Sequence, residues 1–372
     1  MKKEIMSAER LAASLAVSDL TDRTNGVHAI NLVMDKVEYV LRTVYAGVAV
    51  EEVKTKPTVT VKENFDDLLF PVDNAGRSSR YTRHVSHDTV LRTHTSCAVP
   101  TWLKRMATTT SASDVIATFP GMCYRRDVVD KTHCGEPHQM DIWRIKCGAP
   151  RLVRADLIQL VEAILNAVIP GYEYHANEVE HPYTINGLEI NVLVNGAWLE
   201  VMECGEANPI VLANAGLDPN KYSGLALGMG LDRLVMIIKG IDDIRALRSD
   251  DSRIKQQMTN LEKFVAVSNQ PSTKRVLSYS ASVDKTEEDI CEEIKDELGL
   301  DAAIIERIDY SETPYDQLPD KAKSNLGIHP DQKNVVATLT FRSLDKSLPR
   351  DVVNEWMQRL YPRLNKGDKG YM

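Results

Sequence analysis

The chain has 372 residues, 43% of them hydrophobic and 26% charged, with a formal net charge of −8. That composition excludes a disordered chain and predicts a soluble globular protein of two or three domains; no apolar run approaches the ~20 residues of a membrane span. Six cysteines without a CxxC pair speak against a disulfide framework and for a reducing, cytoplasmic setting, and the acidic balance argues against sequence-independent nucleic-acid binding while leaving a local basic groove open.

Residues 1–25 read as a peripheral segment, with Leu11, Ala12 and Leu15 on a short amphipathic helix and a turn at Asn25-Gly26. The charged start, Met1 to Arg10, lacks the apolar stretch of a signal peptide. Ile30, Val33, Met34, Val37, Val40, Leu41 and Val44 form an apolar stripe that predicts a long core-facing helix, capped by Gly47. Two β-rich pieces follow over 48–61, interrupted at Pro57. Then Arg77, Arg80, Arg83, His84, His87, Arg92 and His94 crowd together with Asp88 as their one acid. A basic substrate groove and a flexible basic loop both fit that pattern.

Residues 115–119 and 140–146 are β-like and flank a polar hairpin loop. Asp156 is expected to cap a helix carrying Leu157, Leu160, Val161, Ile164, Leu165 and Val168, stopped at Pro170-Gly171. Strands over 188–194 and 197–202 meet at Asn195-Gly196, the usual residues of a two-residue hairpin. From Gly224 to Gly228 the sequence is small and apolar, as in a buried strand. From Leu231 the period becomes helical, through Leu234, Val235 and Ile238. Residues 266–273 are a polar, proline-bearing linker. Beyond it, strands near 276–283, 304–308 and 335–342 interleave with a helix entered at Thr286, where Asp289 holds the capping-box position, and a last helix carrying Val353, Trp356, Met357, Leu360 and Leu364. Interleaving at this size predicts a ferredoxin-like α/β sandwich.

Two stretches carry chemistry. Gly228 and Gly230 remove Cβ atoms where backbone must approach something closely. Arg233, in the first turn of the helix, opposes the macrodipole, which favours anions there. A phosphate or an aromatic base would explain it; a solvated arginine at a packed turn is the alternative. In the loop from Cys123 to Asp141, strand alternation puts Arg125 and Asp127 on one face. An arginine anchored by an acid offers its planar fork to a phosphate or carboxylate. His133, Cys134 and His138 have no fourth ligand at zinc spacing.

Three blocks in series, Leu91-Arg92-Thr93-His94-Thr95-Ser96, the Tyr124–Gln139 loop and Gly224–Arg233, resemble the catalytic core of class II aminoacyl-tRNA synthetases, and specifically of the phenylalanyl-tRNA synthetase family. Asn64-Phe65-Asp66, Trp198-Leu199-Glu200-Val201 and Gly240-Ile241-Asp242-Asp243-Ile244-Arg245 fit as well. The resemblance covers roughly residues 25–372. It implies an α+β fold: a class II antiparallel sheet flanked by helices over 26–265, and after the linker a ferredoxin-like anticodon-binding-type domain over 274–372. It also implies ATP and Mg2+, reaction of ATP with an amino acid to an aminoacyl-adenylate, and transfer to tRNA, with monomer and homo-oligomer both open.

Residue by residue, Arg125 matches the arginine that contacts the α-phosphate and the amino-acid carboxylate, with Asp127 as its supporting acid. His133 matches a position near the nucleotide phosphates, and Arg233 one beside the adenine and γ-phosphate, with Gly228 and Gly230 preceding it. His94, Ser96, Gln139 and Asp141 match positions that hold the ammonium and carboxylate groups. Ala226 belongs to the amino-acid pocket, and Glu189 and Glu200 are the magnesium candidates.

The chain departs from the family pattern in three places. Pro137-His138-Gln139 with Asp141 stands where Phe-His-Gln and a glutamate are common. His28-Ala29 replaces His-Pro. His181-Pro182-Tyr183 replaces the Phe-Pro-Phe run that reads phenylalanine, exchanging two rings for an imidazole and a phenol. A paralogous ligase for another amino acid or a non-tRNA acceptor, and a non-catalytic RNA-binding protein on the same fold, are the alternatives. Residues 268–372 carry 15 Lys and Arg against 19 Asp and Glu, so bulk charge does not advertise RNA binding.

Overall fold

The computed structural model describes residues 4–109, 113–128 and 130–369. Its chain divides into two compact units, one of Met1–Arg125, Glu136–Ile241 and Met258–Lys263, the other of Arg126–Gly135, Asp242–Gln257 and Phe264–Met372.

The first unit is built on a seven-stranded sheet. Its strands are β1 (Ala49–Glu52), β4 (Asp114–Met122), β5 (His138–Cys147), β6 (Tyr174–Glu178), β7 (Thr184–Val194), β8 (Ala197–Ala207) and β9 (Tyr222–Gly230); β2 (Thr58–Thr60) and β3 (Thr89–Leu91) form a separate ladder. The order is β1-β4-β5-β9-β8-β7-β6, antiparallel except for the parallel pair β1–β4. The helices of this unit are α1 (Ala8–Ala16), α2 (Ala29–Val44), α3 (Val61–Asn64), α4 (Val99–Thr108), α5 (Arg154–Val168), α6 (Pro209–Asn214) and α7 (Leu231–Lys239). Ile30, Val33, Met34, Val37 and Leu41 of the α2 stripe are buried, Val40 is half-buried and Val44 is exposed; the helix packs against α5 and α7. Trp102 of α4 and Val211 and Leu212 of α6 pack with Val115, Ala117, Phe119, Trp143 and Ala226, covering one end of a sheet face.

Several expected termini move. Helix α2 ends at Tyr45 rather than at Gly47, which lies two residues on at φ 92°. Asp156 is the third residue of α5, not its cap; its carboxylate reaches back to accept from the Val153 N–H at 2.9 Å. The β7–β8 turn is as expected, with Asn195 and Gly196 both left-handed at φ 51° and 82°. His28 caps α2, its Nδ1 accepting from the Ile30 N–H, and Ala29 occupies the first helical position, where proline is usual. Ala29 uses the N–H that proline lacks: it donates to the Met258 carbonyl at 2.6 Å.

Three arginines of the basic run are tied to fixed partners. Arg77 pairs with Asp66 at 2.6 Å and lies over the Phe65 ring. Arg83 pairs with Glu136 at 2.5 Å, and buried Arg92 donates to the carbonyls of Met122 and Thr55. These arginines are structural.

The second unit holds α8 (Ser252–Gln257), β10 (Thr273–Ser282), α9 (Glu287–Leu298), β11 (Ile305–Pro314), α10 (Asp320–Leu326), β12 (Gln332–Phe341) and α11 (Arg350–Leu364). Strand order β10-β12-β11, all antiparallel, is that of the first three strands of a ferredoxin-like sandwich. No fourth strand occurs among the described residues. In its place the segment after α11 sits along β10, with the Lys366 N–H donating to the Ser280 carbonyl at 2.8 Å. Thr286 and Asp289 form the expected capping box. Leu277, Tyr279, Val335, Leu339, Ile294, Trp356 and Leu360 close the core beneath the helices.

Candidate active site

Antiparallel register aligns the candidate residues in rows across one sheet face. Asp141 of β5 stands opposite Gly228 of β9, Gly228 opposite Glu203 of β8, and Glu203 opposite Glu189 of β7. In the neighbouring rows Trp143 faces Ala226, and Gln139 faces Gly230. Directly paired residues point to the same side, so Ala226, Gly228 and Gly230 form a floor of small residues between acidic and aromatic walls. A Cβ on Gly228 would come 3.4 Å from the Asp141 carboxylate.

Asp141 is 4% exposed. Burial pushes its pKa up to about 6, against the hydroxyls of Ser96 and Thr95; the Thr95 hydroxyl donates to it at 2.8 Å. Such a carboxylate is ready to receive a cation, because it is poorly solvated where it stands. His94 lies in a cage of rings, stacked on Phe70 at 5.5 Å and edge-on to Phe65 at 6.3 Å. Burial, with Arg125 adding to it, pulls its pKa down to about 3, so the imidazole is neutral at working pH. The Asn64 backbone opposes that shift, yet neither ring nitrogen makes a hydrogen bond among the described residues. Asn64 itself is buried and clamps Thr93, its amide donating to the Thr93 hydroxyl at 2.8 Å.

His181, Tyr183 and Ala226 line the same narrow cleft as Asp141 and Gly228, with Trp143, Thr184 and Glu203 among the other lining residues. His181 Nε2 is 3.0 Å from the Glu203 carboxylate, which raises its pKa. The Tyr183 ring lies 6.0 Å from Phe70 and 6.3 Å from Trp143, and burial raises the pKa of its phenol.

Arg125 is not on a strand: it makes an isolated bridge with Thr82, its Nε donates to the Thr93 carbonyl at 2.9 Å, and its guanidinium lies over Tyr81. Asp127 therefore does not share a strand face with it. Asp127 and His133 belong to the second unit, where His133 Nδ1 is 2.8 Å from Asp130. Arg233, in the first turn of α7, donates from Nη1 to the Glu200 carbonyl at 2.8 Å and lies 3.4 Å from its carboxylate. Glu189 accepts from the Asn191 amide at 2.7 Å. A bulge at Val201 puts Glu200 opposite Asn191 and Glu203 opposite Glu189. Three residues apart, Glu200 and Glu203 would otherwise point to opposite faces; the extra residue brings both onto the site's face.

Glu203, Trp143, Phe70 and the Asp232–His138 pair escaped the sequence reading. Trp143 follows Asp141 by two in a strand, which period alone could have found. Glu203 was hidden by the bulge. His138 is fully buried; its Nε2 accepts from the Leu20 N–H, so the proton on Nδ1 points at the Asp232 carboxylate 2.9 Å away. The polar residue beside Gln139 is thus a structural tie, and among the described residues no group of three or more metal-ligating side chains occurs. No helix among them is long and apolar enough to cross a membrane.

Residues 15–258 match the family model described as tRNA synthetases class II core domain (F). The chain is similar to a mitochondrial phenylalanine–tRNA ligase of Dictyostelium discoideum, with 31% identity over 276 residues, 65% of this chain and 58% of the relative. It is 30% identical over 322 residues to a chloroplastic/mitochondrial phenylalanine–tRNA ligase of Arabidopsis thaliana, covering 83% of this chain and 70% of that one. It is 31% identical over 263 residues to a phenylalanine–tRNA ligase alpha subunit of Thermosynechococcus vestitus, covering 69% and 75%.

Proposed function

Because this chain belongs to the class II aminoacyl-tRNA synthetases, in the phenylalanine–tRNA ligase family, we propose that it activates an amino acid with ATP and passes the acyl group to tRNA. In the first step a carboxylate oxygen of the amino acid attacks the α-phosphorus of ATP, the bond to the bridging oxygen breaks, and pyrophosphate leaves. No side chain need become covalently attached. The acceleration comes from alignment and from stabilising charge on the phosphate.

The row of Asp141, Gly228 and Glu203 is the observation that carries this reading. Asp141, ionised above about pH 6, receives the ammonium, with Ser96 and Gln139 beside it and neutral His94 as a further partner. Arg125, oriented by the Thr93 carbonyl, binds the carboxylate and the α-phosphate. Arg233, held by Glu200, stacks beside the adenine and meets the terminal phosphate, and the small floor at Gly228 and Gly230 admits the nucleotide.

Glu189 and Glu200 share the site's face through their register partners. Two carboxylates suit Mg2+, which takes one or two protein oxygens and completes its shell from phosphate and water. When bound, the ion offsets phosphate charge; Glu189 and Glu200 would hold it.

Phenylalanine is the amino acid in the relatives' names and the first candidate substrate. A different amino acid is favoured by one observation, the His181–Glu203 pair in the pocket. Residues 274–372 act as the anticodon-binding domain. One relative is called an alpha subunit, which adds a complex with a second kind of chain to the monomer and homo-oligomer options; the compartment is cytoplasmic or that of the organellar relatives. The test is protection of tRNA 3′ ends from periodate after incubation with the chain, ATP and mixed amino acids. ATP-dependent protection is expected; none would refute acyl transfer.

A further inference from the structure

We infer that the polar end of the amino-acid pocket is a hydrogen-bonding site, formed by the His181–Glu203 pair and the Thr184 hydroxyl, that takes a phenolic amino acid in preference to phenylalanine. The inference rests on the adenylation reading and narrows its substrate.

The pocket has aromatic walls and a polar end. Tyr183 is the shared ring, 6.0 Å from Phe70, 6.3 Å from Trp143 and 6.0 Å from His181. Flat surfaces of this kind suit an aromatic side chain. A bare phenyl ring would leave the buried Thr184 hydroxyl unanswered. His181 is bound at 3.0 Å to Glu203, itself in the row between Gly228 and Glu189. Thr184, 7% exposed, lines the same cleft, and its hydroxyl has no hydrogen-bond partner among the described residues. A buried orphan hydroxyl is costly and calls for an explanation, which a ligand group supplies. The backbone makes room for it: a Cβ on Gly205 would come 2.7 Å from Thr184 Cβ.

Charge narrows the ligand further. A protonated His181 beside an ionised Glu203 is neutral as a pair, and the carboxylate favours that protonated form. A cationic side chain would meet the imidazolium, and an anionic one Glu203 with Asp141 nearby in the row. A phenol meets neither objection. Its O–H donates to the Glu203 carboxylate, and its oxygen accepts from the imidazolium or from Thr184. A site that hydrogen-bonds a substrate hydroxyl discriminates strongly against the analogue lacking it, because its own polar groups are then left unpaired.

Binding of non-reactive aminoacyl-sulfamoyl adenosines to the full chain, measured by calorimetry, reads the pocket without turnover. Among the tyrosyl, meta-tyrosyl and phenylalanyl compounds, the better phenol is expected to bind at least ~100-fold tighter than phenylalanyl. Phenylalanyl binding equally well or better would overturn the inference and leave the adenylation reading standing. Binding by none of the three would overturn both. Thr184→Val, nearly isosteric, should weaken the phenol compound about tenfold and leave phenylalanyl unchanged; equal weakening of both would count against the inference. The double variant His181→Phe with Glu203→Ala should reverse the preference, and an unaltered ratio would contradict it.

Discussion

Replacing Asp141 by asparagine separates the cost of the site from its use. The carboxylate is 4% exposed and its pKa is raised from 3.8 to about 6. A folded-state pKa above the unfolded value means that the native protein binds the proton more tightly. The penalty is therefore absent at low pH and grows as pH rises from the unfolded pKa to the folded one. Over the interval between those two values it amounts to about 3 kcal/mol at pH 7.5, and about half of that at pH 5. Asparagine keeps the shape and can still accept from Thr95, so Asp141→Asn is expected to be more stable than the native chain by up to ~3 kcal/mol at pH 7.5, with the gain shrinking by ~1.4 kcal/mol at pH 5. The same change removes the charge that meets the ammonium, and amino-acid-dependent activity should fall by at least ~100-fold. Urea unfolding of both proteins at the two pH values reads the first effect, and ATP–pyrophosphate exchange the second. A variant equally destabilised at both pH values, or one with native exchange, would refute the reasoning. In the native protein kcat/KM for the amino acid should rise through about pH 6 as Asp141 ionises.

Arg233→Ala should abolish exchange, by at least ~10³-fold, with unchanged circular dichroism, since its contacts are with Glu200 on the site's own face. Gly228→Val should raise KM for both substrates, because its side chain would grow from a Cβ already 3.4 Å from Asp141 into the cleft; an unchanged KM would place the substrates elsewhere. In the second unit, Arg126 pairs with both Asp289 and Glu292 and its side chain is 8% exposed. Arg126→Ala should cost about 3 kcal/mol in urea unfolding by leaving two acids uncompensated, and a loss under ~1 kcal/mol would show that those acids are solvated.

Elements with one dominant period were legible in sequence. The buried stripe of α2, the Asn195-Gly196 turn, the strand–glycine–helix passage into Arg233 and the Thr286 capping box all lie where local chemistry puts them. What could not be read is set by tertiary pairing. The strand expected at Arg125 fails: among the described residues 126–128 pair with no strand, and Arg125 keeps a single bridge to Thr82. Arg77, Arg83 and Arg92 look like part of a groove only until their acids, Asp66, Glu136 and Asp19, are seen. Glu203 enters the site through a bulge, which shifts side-chain parity without leaving a mark in the residue pattern.

Amino-acid-dependent ATP–pyrophosphate exchange by the purified chain, screened across all twenty amino acids, tests the central claim most directly. The account predicts exchange with an aromatic amino acid, lost in Arg233→Ala. Exchange with no amino acid, or exchange that survives Arg233→Ala, would contradict it.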